Sequence, residues 1–136
     1  MLAEVGVDVD IRPSEMATLI ADLNRGRFEL TMLEVPEVVE PHVLQWFFGG
    51  DHVPGPGREG ANRWRLHSSA LDAALERGRA NVARNERLAA YHDAQRVLAQ
   101  ELPVIPLWHE DVVAVRSAKV RDMRVPRLAR FDSLAR

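Results

Sequence analysis

Residues 5–33, VGVDVDIRPSEMATLIADLNRGRFELTML, contain two changes of hydrophobic period that decide the expected fold. In residues 5–11 every second position is Val or Ile, which is the two-residue period of a half-buried strand. After Pro13 the apolar residues recur at the spacing of one helical face, and this pattern ends at Asn24-Arg25-Gly26, a typical helix stop. Residues 28–33 predict a second strand. The apolar helical positions are Met16, Leu19, Ile20 and Leu23.

The order of strand, helix and strand within about thirty residues has the size of a βαβ unit. It predicts the α/β class for the whole chain. We expect a single domain over residues 1–136, in which a mixed sheet is flanked by about four helices.

The rest of the chain predicts further helices and a loop. The apolar cluster at residues 43–48 indicates a short buried helix, and the Gly- and Pro-rich residues 49–62 indicate a flexible loop. Ser68-Ser69 offers an N-cap for a third helix. A fourth helix is expected from about Asn85 to Glu101, with Leu88, Tyr91, Gln95, Leu98 and Leu102 on one stripe. Short strands are expected to meet in a hairpin near His109-Glu110-Asp111.

The charge is unevenly distributed along the chain. Residues 1–115 carry 11 Lys and Arg against 18 Asp and Glu, whereas residues 116–136 carry 7 against 2. The basic tail is interpreted as a solvated edge, because its charges are spread among apolar residues. Binding of an anionic partner through Arg116–Arg136 is the alternative, although the net charge of −2 gives no general sign of a nucleic-acid binder.

The sequence offers no recognisable catalytic or metal-binding motif. It contains no cysteine, and its five histidines show no metal-ligand spacing. No serine lies in a nucleophile elbow. We therefore expect a protein that is not an enzyme and that needs no cofactor or metal. The acidic N-terminus, MLAEVGVDVD, does not have the pattern of a signal peptide.

Several motifs, taken in order, resemble family 5 extracellular solute-binding proteins, the binding components of ABC importers for oligopeptides, dipeptides and nickel. The resemblance is to the C-terminal region of these proteins and extends through most of the chain. Its strongest part follows residue 70. The matching segments are Val5–Val9, Asn24–Leu30, Glu40-Pro41, Gly60-Ala61-Asn62, Leu71–Leu75, Asn85-Glu86-Arg87, Tyr91, Ala94-Gln95, Leu98 and Pro103–Leu107.

The resemblance implies part of one lobe of a periplasmic-binding-protein-like fold. It also implies a function, which is the capture of a peptide or small cationic solute outside the cytoplasmic membrane and its delivery to an ABC permease. The parent protein is expected in the periplasm or, like a lipoprotein, at the cell surface.

The resemblance also selects candidate ligand-binding residues. In peptide-binding members an acidic residue three positions before the Asp/Glu-Pro pair holds the α-amino group of the ligand, and the corresponding residue is Glu37. An aromatic residue usually stands three positions earlier, where this chain has Glu34, so that a dicationic ligand is a further possibility. Trp64 is the tryptophan expected to face a cleft.

The family closes two lobes around its ligand, and this chain corresponds to about the last quarter of such a protein. We therefore expect the isolated chain to bind ligand weakly or not at all. Open sheet edges are expected to favour a homodimer or a swapped assembly. The alternative function is a structural or interaction domain that keeps the fold of the lobe without binding a solute.

Overall fold

The centre of the structure is a pair of helices, α3 (Ser69–Ala80) and α4 (Arg84–Glu101). The structure is a computed structural model that describes residues 2–35, 40–109, 111, 113, 115–117, 119 and 120. Both helices were expected from the sequence, and Ser68 is confirmed as the N-cap of α3, where its Oγ accepts a hydrogen bond from the Leu71 amide at 3.4 Å. Buried residues of the two helices form the core: Leu71, Ala74, Leu75, Tyr91 and Ala94.

The buried face of α4 differs from the predicted stripe. Leu88 and Leu102 are exposed, and small residues on either side of Tyr91 are buried in their place. The alanines at 90 and 94 allow α4 to approach α3 closely. A Cβ added to Gly78 of α3 would lie 2.8 Å from Cζ of Tyr91, so the two helices pack closely there.

Helix α2 (Val43–Phe48) packs against α3 and is followed by a 3₁₀ turn at Gly50–His52. The predicted short helix is thus confirmed, although none of its residues is fully buried and Trp46 is 43% exposed. Leu44 and Phe48 cover one side of the core between α3 and α4, together with Leu66.

Helix α1 (Met16–Arg25) ends as the sequence predicts. Gly26 adopts a left-handed conformation, with φ 72°, and its amide donates to the Leu23 carbonyl. Leu23 is the buried residue of this helix, whereas Met16 is 62% exposed. A second 3₁₀ turn, Leu2–Val5, lies near the N-terminus.

The predicted α/β class is wrong for the described part of the chain. The two strands expected at residues 5–11 and 28–33 are not formed, so the βαβ unit and the mixed sheet are absent there. The only β-bridge among these residues joins Gly55 and Arg58 within a turn. Helices α1 to α4 and the loop between α2 and α3 make up the observed architecture.

The physical reason for this difference is the lack of a neighbouring strand. Residues 8–12 and 28–33 form no regular secondary structure, and their amides donate to no backbone carbonyl of a described residue. An alternating pattern describes a surface that fits a sheet, but a strand exists only when a second strand accepts its hydrogen bonds. The alternating apolar residues consequently remain exposed: Val5, Val7, Val9, Ile11, Leu30 and Met32.

The C-terminal hairpin is likewise not seen where the structure can be described. Residues 103–109 form no strand, and Ile105, Leu107 and Trp108 are exposed. Glu110 and Val112, at the predicted turn, lie outside the described residues, as do residues 121–136 of the basic tail. The expectation of a single domain with a flexible loop at 49–62 stays a prediction. None of the described helices combines the length and the apolar character that a membrane span needs.

Candidate functional site

The segment that carries the predicted ligand-binding carboxylates lies between α1 and α2. Glu34 is exposed and Glu37 lies outside the described residues. Glu40, at the end of this segment, is exposed and leads through Pro41 into α2. Glu34 and Glu40 are therefore in contact with solvent, and the ligand-binding role of Glu34 and Glu37 stays a prediction.

Glu40 and His42 lie beside the ring of Tyr91 on α4. The imidazole of His42 is 6.4 Å from this ring, centroid to centroid, in an edge-to-face arrangement. Burial raises the pKa of the Tyr91 phenol, the negative charge of Glu40 raises it further, and the charge of Arg87 opposes both. The Nδ1 atom of His42 is buried and has no hydrogen-bond partner among the described residues. The acidic segment thus reaches α2 next to the core of the helical pair.

Trp64 lies against the last turn of α2. Its Nε1–H donates to the Phe47 carbonyl at 2.9 Å, and its ring stacks on Phe48 at a centroid distance of 6.0 Å and an interplanar angle of 28°. The side chain is half-buried. Both interactions position the C-terminal end of α2, where carbonyls have no partner inside the helix. A contact between the remaining surface of Trp64 and a ligand stays a prediction.

Asn62 connects three parts of the loop between α2 and α3. It is fully buried, and its Nδ2 donates to the Leu66 carbonyl at 2.8 Å and the Gly49 carbonyl at 3.0 Å, with Phe48 O at 3.3 Å. Its Oδ1 accepts the Leu66 amide at 3.0 Å. The Asn62 amide donates to His52 O at 3.0 Å. One side chain therefore satisfies both the end of α2 and the approach to α3.

Asp72 fixes the same loop to α3. Its Oδ1 accepts the Gly50 amide at 3.0 Å, and a Cβ on Gly50 would lie 3.0 Å from Oδ2 of the same carboxylate. The carboxylate also lies in the first turn of α3, where the helix dipole favours negative charge. Asp72 and Asn62 together hold the loop at both of its ends.

Two arginines attach the loop to the C-terminus of α1. Arg63 Nε donates to Asn24 Oδ1 at 2.9 Å, and Arg65 Nη2 donates to the Asn24 carbonyl at 3.1 Å. Cationic groups at this position stabilise a helix through its dipole. Burial lowers the pKa of the Arg63 guanidinium. Arg65 adopts φ 56°, an unusual conformation for a residue with a side chain, and its guanidinium lies across Gly26.

A pair formed by Asp51 and His52 is the densest titratable group of the loop. His52 Nδ1 lies 2.7 Å from Asp51 Oδ1, which also accepts from Gln45 Nε2 at 2.8 Å. Partial burial opposes ionisation of Asp51, but the hydrogen bond and charge of His52 outweigh it, so that the pKa of Asp51 is lowered. The Trp46 ring meets the His52 ring edge-to-face at 5.1 Å. Within the described residues, no group of three or more His, Cys, Asp or Glu is arranged to hold a metal ion.

A shallow groove of about 500 Å³ lies between α3 and α4. Small residues such as Ala70 and Ala73 line it, and Asp93 at its edge pairs with Arg77 at 2.9 Å and with Arg96 at 3.1 Å. The pair of Arg77 and Asp93 joins α3 to α4, and the pair of Arg96 and Asp93 lies within α4. Neither Glu34 nor Trp64, the two predicted site residues that the structure describes, lines this groove.

Sequence reasoning selected Trp64 but did not single out Asn62, Asp72 or the two arginines. Asn62 and Asp72 stood inside segments that carry the family resemblance, and this was the signal that could have found them. No local rule identifies an asparagine in a Gly-rich loop as a buried bridge. Its partners come from residues 4 to 14 positions away.

Comparison with known proteins gives a limited likeness. No protein-family model and no solved structure matches the chain. A similar curated protein is the di/tripeptide-binding protein 2 of Pseudomonas aeruginosa (strain UCBPP-PA14), which is 23% identical over 133 residues. The alignment covers 96% of this chain and 24% of that protein, so the chain spans about a quarter of the length of its relative. This likeness supports a solute-binding role in general terms.

Proposed function

We propose that the chain is part of a non-catalytic solute-binding component of an ABC importer, which captures a peptide or small cationic solute outside the cytoplasmic membrane. The single observation that carries this proposal is the likeness of 96% of the chain to a protein named for di- and tripeptide binding. Because the chain spans 24% of that relative, delivery to a permease and an extracytoplasmic location belong to the proposal as well.

The acidic segment provides the chemistry for a cationic ligand. An ammonium group that leaves water needs a countercharge and directional acceptors, and a carboxylate supplies both. In the proposal, Glu37 accepts a hydrogen bond from the α-ammonium group of the ligand. Glu34 adds a second negative charge that favours a dicationic ligand.

The contacts of α2 support this assignment, because they hold in place the helix into which the acidic segment leads. The end of α2 is held by the Trp64 indole and by Asn62, and the following Gly50 is held by Asp72. A carboxylate a few residues before such an anchor loses less freedom on binding than one on an unattached chain end. In the proposal, Trp64 acts through the position of α2.

Titration of ¹⁵N-labelled protein with peptides, followed by NMR, tests the proposal and detects weak binding. We expect saturable shifts with trialanine, with a Kd on the order of millimolar because the chain supplies one wall of a cleft. N-acetyl-trialanine, which lacks the ammonium group, should give none. Glu37→Gln should weaken binding of trialanine by about tenfold through loss of a charge-assisted hydrogen bond.

The matched control is Glu59→Gln, which removes one exposed carboxylate from the loop between α2 and α3 and should leave the affinity unchanged. A lysine-containing tripeptide should bind more tightly than trialanine, and Glu34→Gln should remove that difference. Equal binding of acetylated peptide would contradict the proposal. The absence of saturable shifts with every peptide would instead support the alternative, a structural or interaction domain.

A further inference from the structure

The segment that follows α1 leaves large apolar side chains in water. We call residues 28–32, FELTM, the contact segment. Its apolar residues occupy every second position, where Phe28 is half-buried, Leu30 is 74% exposed and Met32 is 69% exposed. Neighbouring exposed apolar side chains of this size mark an interaction surface more often than single ones do.

The backbone of the contact segment is free to pair. Among the described residues, none of its amides, carbonyls or side chains takes part in a hydrogen bond, and its one carboxylate, Glu29, forms no ion pair. Free backbone groups beside alternating apolar side chains are a template for a strand. The contact segment therefore offers both the hydrogen bonds and the apolar surface that an antiparallel partner needs.

Residues 7–11 of the same chain have a similar apolar alternation but an unsuitable charge pattern. An antiparallel register in which their three apolar residues cover those of the contact segment places Asp10 opposite Glu29. The corresponding parallel register places Asp8 beside Glu29. Like charges at opposed positions are unfavourable, and the structure leaves the two segments unpaired.

A second copy of the contact segment matches the first without such a conflict. With a twofold axis at Leu30, this residue faces its own counterpart, and Phe28 faces Met32 of the other copy on the same side of the ribbon. On the opposite side Glu29 faces Thr31, whose hydroxyl can donate a hydrogen bond to the carboxylate. Directly opposed side chains of an antiparallel pair contact each other, so each copy covers the apolar residues of the other.

The neighbouring twofold registers are less favourable. An axis at Glu29 opposes two carboxylates, and an axis at Thr31 places Phe28 opposite Glu34. An axis at Phe28 extends the pairing to Gly26, which caps α1 in a left-handed conformation with φ 72°. The sequence of the contact segment thus selects the register centred on Leu30.

We propose that two copies of this chain associate through an antiparallel twofold ribbon formed by the contact segment, with Leu30 on the axis. The partner is a second copy because a segment can meet itself only in another molecule. One short ribbon is smaller than the roughly 1,200–2,000 Å² of stable complexes, so the dimer is weak and dissociates on dilution. The association needs no peptide, and its test is independent of the proposed solute binding.

Cysteine cross-linking tests the register, because the natural chain contains no cysteine. Opposed residues of an antiparallel pair have Cα atoms about 4.5–5.5 Å apart, within the range of a disulfide. In a buffer that allows disulfide exchange, Leu30→Cys should form a covalent dimer. Met32→Cys alone should not, since the two cysteines would lie about 14 Å apart. A mixture of Phe28→Cys and Met32→Cys should form a mixed disulfide.

The position opposite Glu29 provides a charge test that reverses in sign. Thr31→Lys places an ammonium group opposite each Glu29 and should strengthen dimerisation about fivefold in sedimentation equilibrium, whereas Thr31→Glu should weaken it about fivefold. The matched controls are Gln95→Lys and Gln95→Glu, which change the net charge equally at an exposed position on α4. Both controls should leave dimerisation unchanged.

Three results would overturn the proposal. The first is an unmodified chain that stays monomeric at millimolar concentration. The second is a Leu30→Cys dimer that forms no more readily than that of Met32→Cys, or of Val82→Cys, whose position between α3 and α4 is 98% exposed. The third is a pair of Thr31 variants that change dimerisation in the same direction.

Discussion

Asn62 combines a fully buried position with hydrogen bonds to backbone groups on both sides of the loop. Buried backbone groups must be paired, and here the carbonyl of Gly49 and both polar groups of Leu66 depend on one side chain. An asparagine suits this position because its amide offers donors and an acceptor on a short, rigid stem. Aspartate would present oxygens to the same carbonyls and could not donate.

The first prediction follows from these contacts. Asn62→Ala should lower the free energy of unfolding by roughly 2–4 kcal/mol, because several buried backbone groups lose their partners at once. Urea denaturation followed by circular dichroism measures this change. Asn81→Ala is the matched control, since its exposed amide donates to the Arg77 carbonyl alone, and it should cost less than about 1 kcal/mol. Equal effects of the two substitutions would show that the bridge at Asn62 contributes little.

At the residue scale the sequence predicts local features well and distant ones poorly. Gly26 and Ser68 were identified correctly as helix-capping residues, because a cap depends on neighbours within about four positions. Asn62 was not singled out, since its role depends on where the chain returns after a turn. Glu37, the residue chosen through family resemblance, lies outside the described residues and stays a prediction.

At the element scale, α3 and α4 form the best-packed unit of the structure. Gly78 is buried in α3, and the ring of Tyr91 occupies the space that a side chain there would need. Glycine is usually unfavourable inside a helix by about 1 kcal/mol relative to alanine. Its presence in the last turn of α3 is explained by the close contact with the aromatic ring of α4.

The second prediction is that a substitution at Gly78 changes the free energy of unfolding in opposite directions with and without the Tyr91 ring. Gly78→Ala should destabilise the protein by about 1–2 kcal/mol, because the cost of overpacking against Tyr91 exceeds the gain in helix propensity. In a Tyr91→Leu background the ring is absent, and the same substitution should become neutral or stabilising. Thermal or urea unfolding of the four proteins forms a double-mutant cycle. Stabilisation by Gly78→Ala in the natural background would contradict the close packing.

The four helices were located from the sequence because their signals are periodic and bounded by caps or prolines. The buried stripe of α4 was predicted less well, since Leu88 and Leu102 are exposed and the alanines at 90 and 94 are buried. Hydrophobicity favours the larger side chains for the core. Close helix packing selected the small ones, which is a property of the pair of helices and not of either helix alone.

At the scale of the whole molecule, the expected sheet is the largest difference between sequence and structure. Residues 5–11 and 28–33 have the alternation of strands but find no strand beside them among the described residues. Their pattern was interpreted as that of two strands in a βαβ unit, and this is wrong for the described residues. Pairing is a relation between segments, and an alternating pattern specifies only one of the two.

The third prediction uses this difference between the parts of the chain and is measured by amide hydrogen exchange. At low protein concentration the amides of residues 8–12 should exchange near the rate of an unfolded chain, whereas those of α3 and α4 should exchange roughly 100-fold or more slowly. The Val82 amide, in the turn between α3 and α4, should also exchange fast and serves as the control for an exposed position inside the folded pair. Slow exchange at residues 8–12 in dilute solution would mean that this segment is paired within the monomer.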